Sequence, residues 1–591
     1  MAPFRFDMTP VRIAARSARN GAAVSPAELQ HQVREALALL QRGEAAAAER
    51  ALQPALRDAP RDPNVRQLAA LIRRAQGDLT GALAHLDAAL AAAPNAARVH
   101  LNRATLLAEL GRHEGALAGF EAAARLGLDH AALWGGRGAA LGHLGRNAEA
   151  IAALDRALAL DPNAIDERAN RARALLAEGR YQEAIGDYDI LLQREPGDAG
   201  LWDNRGVALF KLDRLDQAEA SLAEALRLRP DHPGSLSNLG LALFGLGRAD
   251  AAIAAFDRAF ALLPDDAGPE TAATLRYNRG MAFLARGAFE SGWEGLEHRW
   301  TAGMVNSPPL DHGEPAWRGE RVAGAVRIWP EQGIGDQILF ARLAPLAMAR
   351  AGDVVLGCEP RLAALFARSF PDIEIVGEER RPAAAQCAVG SLGAVMGARR
   401  DDLGGGAAFL RADARRAEDM RARYAAMAGG RPIVGIAWSS RCPGRGEWKS
   451  AALSSWRPLL ERDYFFVSLQ YGETEADIAA ARAAFGVDIH VDDSVDQLRD
   501  LDAFAAQIAA LDHVVSVSNT TVHMAGALGV DCIVMPPPGR GRLWYWSIEG
   551  DATPWYKSVR IVRRGLGESW ETQVARAAAL LASDQAAGRA R

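Results

Sequence analysis

The segment Asn170–Pro196 reads NRARALLAEGRYQEAIGDYDILLQREP and carries the marks of one repeating unit. Gly179 predicts the end of a first helix, Ala184 lets a second helix approach closely, and Pro196 closes the pair. The same three marks recur along the chain with a period of 34 residues. The glycines are Gly43, Gly77, Gly111, Gly145, Gly179 and Gly247, with Asp213 in the one gap. The prolines are Pro60, Pro94, Pro162, Pro196, Pro230 and Pro264, and the alanines are Ala48, Ala82, Ala116, Ala150, Ala184, Ala218 and Ala252.

This period is that of the tetratricopeptide repeat, in which two antiparallel helices form each unit and the units stack into a right-handed superhelix. We therefore predict an all-α, protein-binding superhelix over residues 25–300, preceded by a flexible tail over residues 1–24. An eighth, incomplete unit follows around Asn278 and Gly287.

One polar position recurs on the first helix of the repeats. It holds Asn102, Asn170, Asn204, Asn238 and Asn278, which we call the asparagine column. A carboxamide both donates and accepts hydrogen bonds, so a row of them in the groove could hold a peptide backbone. In the alternative interpretation, each asparagine bonds a neighbouring repeat. The column resembles the asparagine ladder of O-GlcNAc transferases, and this resemblance implies a polypeptide ligand.

Size and composition exclude several other classes of protein. A chain of 591 residues predicts several domains, and its mixed net charge of −5 does not indicate nucleic-acid binding. Its four cysteines, Cys358, Cys387, Cys442 and Cys532, are widely spaced, which predicts reduced thiols and a cytoplasmic location. No apolar run is long enough to predict a membrane span.

The second half of the chain alternates short apolar strands with helical stretches. Residues 301–324 are rich in proline and glycine and predict a linker. Two strand–helix series follow, over residues 325–430 and 431–591, and predict two parallel, doubly wound sheets that face a cleft. That is the GT-B arrangement of many glycosyltransferases. One large sheet is the alternative.

Ligands of such sheets bind at the carboxyl ends of the strands, where two of the predicted loops suit an anion. In the later loop, Ser518, Asn519, Thr520 and Thr521 can open a helix whose free N–H groups face a phosphate. His523, one turn further, could donate to the same phosphate. Lys449, with Arg445, could neutralise the charge from the earlier loop. A helix cap or interdomain contact for His523, and a solvated loop for Lys449, are the alternatives.

A third loop, EQGIGD, joins the first strand of this half to a helix. Gln332, Gly333 and Gly335 form a loop that would let the backbone approach a sugar or acceptor. Asp336 would lie at the helix N-terminus, where a carboxylate stays ionised and can act as a general base. An N-terminal cap is the alternative role of Asp336.

Several motifs together resemble the glycosyltransferase family 9-like domain of bacterial tetratricopeptide proteins, relatives of the lipopolysaccharide heptosyltransferases. They are EQGIGDQILFARLAP from Glu331, VGIAW, FVSLQYG, VVSVSNTTVHMAGALG and TPWYKSVRIVRR, which ends at Arg564. The resemblance implies an inverting, metal-independent transfer with Asp336 as base and a nucleotide loop at residues 518–523. Heptosyltransferases commonly have aspartate where this chain has Asn519, so a different donor is implied.

The repeat-plus-transferase layout resembles that of flagellin glycosyltransferases, which implies a role in flagellum assembly. The expected function is a protein O-glycosyltransferase that captures flagellin and transfers a nonulosonic acid, such as pseudaminic acid, from a CMP-linked donor. No cofactor, metal or nucleic-acid partner is expected beyond the nucleotide sugar. The alternatives are a transferase acting on a lipid-linked or surface glycan, and a repeat scaffold with an inactive transferase-like domain.

Overall fold

The structure, a computed structural model, describes residues 25–589 except 306–308, 311–312, 378–381 and 442–445. The predicted tail, part of the predicted linker, Cys442 and Arg445 lie outside the described residues. The chain divides into two compact units, residues 1–212 and residues 213–591. The second unit therefore begins inside the repeat region rather than at the predicted boundary near residue 300.

The described part of the first unit consists of helices. They are α1 (Pro26–Gln41), α2 (Ala45–Asp58), α3 (Pro63–Ala75), α4 (Leu79–Ala92), α5 (Ala97–Glu109), α6 (His113–Arg125), α7 (Ala131–His143), α8 (Asn147–Leu160), α9 (Ile165–Ala177), α10 (Tyr181–Arg194) and α11 (Ala199–Lys211). Gly179, between α9 and α10, has a φ of 79°, a left-handed conformation that glycine adopts without steric cost. Ala184 is completely buried at the contact between these two helices. The helix-pair prediction is confirmed here.

The second unit opens with five further helices. They are α12 (Leu215–Leu228), α13 (Pro233–Gly245), α14 (Ala249–Ala261), α15 (Pro269–Arg286) and α16 (Phe289–Leu296). Asp213, which replaces the glycine of its repeat, has a left-handed φ of 58°. Its carboxylate Oδ1 accepts a hydrogen bond of 2.9 Å from the backbone N–H of Arg540. This bond to the loop at Arg540 is a structural reason for aspartate instead of glycine at position 213.

The rest of the second unit contains two separate sheets, so the single-sheet alternative is wrong. The smaller sheet has the order β3-β2-β1-β4, and all its strands are parallel. These strands are β1 (Val326–Trp329), β2 (Val354–Gly357), β3 (Glu374–Val376) and β4 (Ala385–Ala388). In register, Val326 of β1 pairs with Val354 of β2 and Ala385 of β4.

The larger sheet has the order β10-β11-β9-β8-β5-β6-β7 and is parallel except for the edge strand β10. Its strands are β5 (Ile433–Ala437), β6 (Phe465–Ser468), β7 (Ile489–His490), β8 (His513–Val517), β9 (Cys532–Met535), β10 (Ala552–Thr553) and β11 (Tyr556–Ile561). The four central strands β5, β8, β9 and β6 were predicted from their apolar runs. The short β4, β7 and β10 were not, because they lack such runs.

Helices and 3-10 turns connect the strands. The helices are α17 (Ile334–Ala341), α18 (Ala344–Ala351), α19 (Ala363–Ser369), α20 (Leu392–Met396), α21 (Ala414–Ala428), α22 (Gly446–Lys449), α23 (Arg457–Leu460), α24 (Glu475–Phe485), α25 (Leu501–Ala509), α26 (Thr520–Leu528) and α27 (Trp570–Arg589). The 3-10 turns are Pro360–Leu362, Val389–Ser391, Arg400–Gly406, Leu453–Trp456, Gly539–Gly541 and Trp544–Trp546. An α/β region therefore follows the repeats, as predicted.

The last repeat shares a hydrophobic core with this α/β region. Trp293 of α16 is 1% exposed, and its indole Nε1 donates to the backbone carbonyl of Ala398 at 2.7 Å. A Cβ at Gly393 of α20 would lie 2.5 Å from the Trp293 ring, so only glycine permits this approach. Trp293 also meets Trp544 and Trp555 edge to face. Helix α16 is thus part of the core of the α/β region.

Candidate active site

The glycine loop brings the smaller sheet into contact with α26 of the larger one. After β1 the chain turns through Gln332, whose φ of 59° is unusual for a residue with a side chain, and enters α17 at Ile334. A Cβ at Gly335 would lie 3.0 Å from Cδ2 of His523. Gly335 therefore makes room for His523, and the approach of a sugar or acceptor to this loop stays a prediction. Gly333 is extended, with a φ of −89°, and is exposed.

Asp336 lies in the first turn of α17 and is partly exposed. Its Oδ2 accepts a hydrogen bond of 3.4 Å from the backbone N–H of Gly333, so the capping role is present in the structure. Burial, chiefly, raises the pKa of Tyr556, and the negative charge of Asp336 adds to that effect. Asp336 is therefore close enough to Tyr556 to influence it electrostatically.

His523 and Tyr556 form a buried pair behind the glycine loop. The Nδ1 atom of His523 lies 3.0 Å from the Tyr556 hydroxyl, and its ring stacks on Trp546 with centroids 5.3 Å apart. His523 is 4% exposed, and burial lowers its pKa to about 3, with the positive charge of Lys449 as a further cause. His523 is consequently neutral at physiological pH. The interdomain contact that was the alternative for His523 is present at Gly335, whereas a bond from His523 to phosphate stays a prediction.

The start of α26 joins two strand ends of the larger sheet. Asn519 caps the helix, because its Oδ1 accepts from the backbone N–H of Thr521 at 3.1 Å. Its Nδ2 donates to the backbone carbonyl of Ser439, beyond the end of β5, at 3.2 Å. Ser518 makes no cap; its hydroxyl accepts from Nε1 of Trp546 at 2.7 Å. Of the four polar residues predicted to open the helix, Asn519 is thus the one whose side chain caps it.

Two hydroxyls at the same helix end differ in their surroundings. Thr520 is partly exposed. Thr521 is completely buried, and its Oγ1 has no hydrogen-bond partner among the described residues. A buried hydroxyl without a partner costs free energy, so Thr521 is a locally unfavourable position in this helix end.

Lys449 ends the short helix α22 and is buried, contrary to the solvated-loop alternative. Its charge reaches His523, as the lowered pKa of that imidazole indicates. The structure therefore collects Lys449, His523 and the glycine loop in one place, although they are far apart in the sequence. Each comes from the carboxyl end of a different strand.

The asparagine column does not have one environment throughout. In the first unit, Asn102 is 1% exposed, and its Nδ2 donates to Oε1 of Gln67 on the preceding repeat at 3.0 Å. The interpretation as an inter-repeat bond is therefore right for Asn102, which we no longer place in the groove. Asn170 and Asn204 are partly exposed, and Asn170 also accepts from Arg173.

In the second unit, Asn238 and Asn278 are partly exposed as well. Asn238 lines a cavity of about 690 Å³ together with Thr271 and Trp300. Four of the five asparagines thus retain the exposure that peptide binding would require.

The arginines beside the column have a structural role. Arg103 bonds Asp87 at 2.6 Å, and Arg205 bonds Asp189 at 2.7 Å, each pair joining successive repeats. The sequence shows these acids 16 residues before each arginine, a spacing that could have identified the pairs.

Tyr556, within the motif TPWYKSV, is a residue of this cluster that the sequence did not indicate. Its partner His523 lies on another element, so no local spacing indicates the pair. The aromatic sequence WYW, Trp544 to Trp546, could stack on a ligand or pack within the protein. All three contact other aromatic residues of the protein.

In the described residues, no three histidine, cysteine, aspartate or glutamate side chains are grouped as metal ligands. The expectation of metal-independent chemistry stays a prediction. Within the same part of the chain, no helix has both the length and the apolar character needed to cross a membrane. Cys358, Cys387 and Cys532 are buried free thiols.

Comparison with known proteins supports the repeat assignment. Residues 33–97, 101–165 and 198–265 match models described as tetratricopeptide repeat. Protein FlbA of Caulobacter vibrioides is 30% identical over 336 residues, which is 53% of this chain and 56% of FlbA. The match thus spans about half the length of each protein.

Two solved structures show local similarity. YrrB, described as a TPR protein with an unusual peptide-binding site, is 25% identical to this chain. The match covers 31% of this chain and 95% of YrrB, with a TM-score of 0.30. A tetratricopeptide repeat protein from Parabacteroides merdae is 21% identical over 42% of this chain and 98% of its own, also with a TM-score of 0.30. At these TM-scores the two likenesses say nothing about how the repeats of this chain are arranged.

Proposed function

We propose that the chain is a protein O-glycosyltransferase with a GT-B-type catalytic region. Its repeats capture a polypeptide acceptor, flagellin, and its α/β region transfers a sugar from a nucleotide donor to a serine or threonine hydroxyl. The repeat matches support the protein-binding part, since such arrays present extended binding surfaces. The transferase part rests on the cluster of Asp336, Lys449, His523 and the start of α26.

The observation that carries the proposal is the meeting of a glycine loop with a helix N-terminus from another sheet. Helix N-termini favour anions because their backbone N–H groups point outward and the helix dipole is positive there. We place the donor phosphate at the start of α26, near Thr520 and Thr521. Lys449 supplies the positive charge, because His523, with its pKa of about 3, is neutral.

The reaction proceeds by displacement at the anomeric carbon of the donor sugar. The carboxylate of Asp336 accepts the proton of the serine or threonine hydroxyl as the new carbon–oxygen bond forms. The bond between the anomeric carbon and the phosphate oxygen breaks, and the nucleotide leaves with the electron pair. The backbone N–H groups at the start of α26 and the ammonium group of Lys449 stabilise the charge that develops on the leaving phosphate.

The donor is a CMP-linked nonulosonic acid such as pseudaminic acid. Asn519 supports a donor different from that of the heptosyltransferases, since it is a neutral cap where they commonly have aspartate. Its carboxamide carries no charge, and it already bonds the backbone of Thr521 and Ser439. The acceptor is glycosylated in the cytoplasm, before the flagellum is assembled.

Intact-mass measurement of flagellin tests the transfer directly. Flagellin co-expressed with this chain and a pathway for the CMP-linked sugar gains the mass of one or more sugar residues. Flagellin expressed without the chain does not. An unmodified flagellin in both cultures would refute the acceptor. A mass gain on a glycan lipid instead would favour the surface-glycan alternative.

Asp336→Asn separates catalysis from capping. We expect kcat to fall about a hundredfold to ten-thousandfold, because an amide cannot take the hydroxyl proton. Nucleotide affinity stays near that of the wild type. The matched control is Asp402→Asn, since Asp402 also caps a turn, with its Oδ2 accepting from the N–H of Arg399 at 2.7 Å. Equal activity in the two variants would leave Asp336 as a cap only.

A further inference from the structure

A buried arginine at the end of the repeat region contacts the chain just before the glycine loop. Arg299 follows α16, and its side chain is 0% exposed. Its Nε and one terminal nitrogen donate to the two carboxylate oxygens of Glu331, at 3.0 Å and 2.9 Å. Glu331 lies two residues after β1 and five before Asp336, and its side chain is also 0% exposed.

Every donor of this guanidinium is used. Besides the two bonds to Glu331, Arg299 donates to the hydroxyl of Ser391 at 2.8 Å, to the backbone carbonyl of Leu296 at 3.1 Å and to Glu297 at 2.9 Å. A guanidinium has five N–H groups in a planar fork, and five bonds are present. Its plane also packs 3.6 Å from the ring of Trp300. Lysine could not reproduce this geometry.

Glu331 links Arg299 to the glycine loop. Its Oε1 also accepts from the backbone N–H of Gly390, beyond the end of β4, at 2.9 Å. The next residue is Gln332, with the left-handed φ of 59°. Such a conformation costs free energy and persists only where the surroundings hold it. The bonds from Arg299 and Gly390 provide that restraint immediately before Gly333.

We propose that Arg299 is a positioning residue of the active site, supplied by the last repeat, which fixes through Glu331 the loop that presents Asp336. The inference rests on the proposed function, but its structural part does not require turnover. It makes the repeat region part of the catalytic apparatus, and not only the acceptor-binding part.

Two variants separate positioning from stability. Arg299→Lys keeps the positive charge but loses the planar guanidinium group that bonds both carboxylate oxygens of Glu331. The double variant Arg299→Met with Glu331→Gln removes both charges, so no unpaired charge is buried, and it keeps an acceptor for Gly390. We expect the double variant to unfold at a temperature close to that of the wild type. Its kcat still falls about a hundredfold, with little change in KM for the donor, because the loop is no longer held.

Amide hydrogen exchange supplies a readout that is independent of activity. We expect residues 332–336 to exchange faster in both variants, while residues 520–528 of α26 keep the wild-type rate. If the wild type does not glycosylate flagellin, the proposed function fails, and this exchange pattern still tests the restraint. Wild-type exchange in the loop, or full kcat in the double variant, would overturn the positioning role.

Discussion

At the scale of the residue, burial decides what His523 can do. A histidine one turn into a helix is an expected phosphate donor when it is exposed. Here it is enclosed by Trp546, Tyr545 and Tyr556, and it bonds the hydroxyl of Tyr556. The ring is therefore neutral and packs among these aromatic side chains, and Lys449 provides the positive charge of the proposed anion site. Asp336, only partly exposed, keeps both its capping bond and a position beside the cluster.

The lowered pKa of His523 predicts a pH-dependent stability. The pKa of His523 is about 3 in the folded protein against an ordinary value of 6.5, so between these two pH values the unfolded chain binds a proton and the folded one does not. Stability is therefore fully present above pH 6.5 and declines as the pH falls towards 3. Between pH 7 and pH 5 the loss due to His523 is up to about 2 kcal/mol.

Urea unfolding at the two pH values measures this term. The comparison is the double variant His523→Phe with Tyr556→Phe, which removes the titrating ring without leaving its hydroxyl partner unpaired. We expect the double variant to lose less stability than the wild type on going from pH 7 to pH 5. An equal loss of stability in both proteins would show that folding does not lower the pKa of His523.

At the scale of the element, one sequence position has two roles in the repeats. On α5 the asparagine is buried and bonds the preceding repeat, whereas on α11 the equivalent Asn204 is partly exposed. The reason is the residue opposite: Gln67 on α3 provides an acceptor for Asn102 and is itself buried. Recurrence of a residue type therefore predicted a common position but not a common contact.

The two roles predict opposite results for the same substitution. Asn102→Ala leaves Gln67 without its partner in a buried place, and we expect a loss of about 1–3 kcal/mol in unfolding free energy. Asn204→Ala changes stability by less than about 0.5 kcal/mol, as is usual for a partly exposed position. Thermal or urea unfolding of both variants provides the comparison.

Acceptor binding tests the second role, in which the exposed asparagines hold a peptide. Asn204→Ala weakens the affinity for flagellin if the exposed asparagines hold the peptide backbone. Measured by titration calorimetry against the wild type, an unchanged Kd would indicate that the repeats act as a spacer or bind their partner elsewhere.

At the scale of the whole molecule, the repeats and the α/β region are not separate at residue 300. Trp293 lies in the core beside Phe340 and Trp555, and Arg299 bonds Glu331. The second compact unit accordingly begins at Asp213. A linker was predicted from composition, but these side chains extend the α/β core back into the last repeats.

Two truncations test this boundary. We expect residues 213–591 to fold and unfold cooperatively, because they retain α16 and its core contacts. Residues 301–591 lack Trp293 and Arg299, which leaves Glu331 unpaired and the core open, and we expect an unstable, aggregating product. Circular dichroism and size-exclusion chromatography distinguish the two. A well-folded 301–591 fragment would restore the boundary near residue 300.

The sequence alone determined the features that depend on local periodicity. The 34-residue period predicted the helix pairs, the helix ends at the glycines and the close approach of helices at the alanines, and the apolar runs predicted the central strands of two sheets. These follow because helix and strand formation and the packing of adjacent helices act over short separations. The loops at the strand ends were located for the same reason.

Only the tertiary structure decided which of those residues meet. The site depends on contacts between distant segments of the chain. These contacts join Gly335 to His523, His523 to Tyr556, Arg299 to Glu331 and Asp213 to Arg540. No local pattern indicates such pairs, because they arise from how the sheets and the last repeats pack. Burial follows from the same packing, and it set the charge of His523 and separated Asn102 from the exposed asparagines.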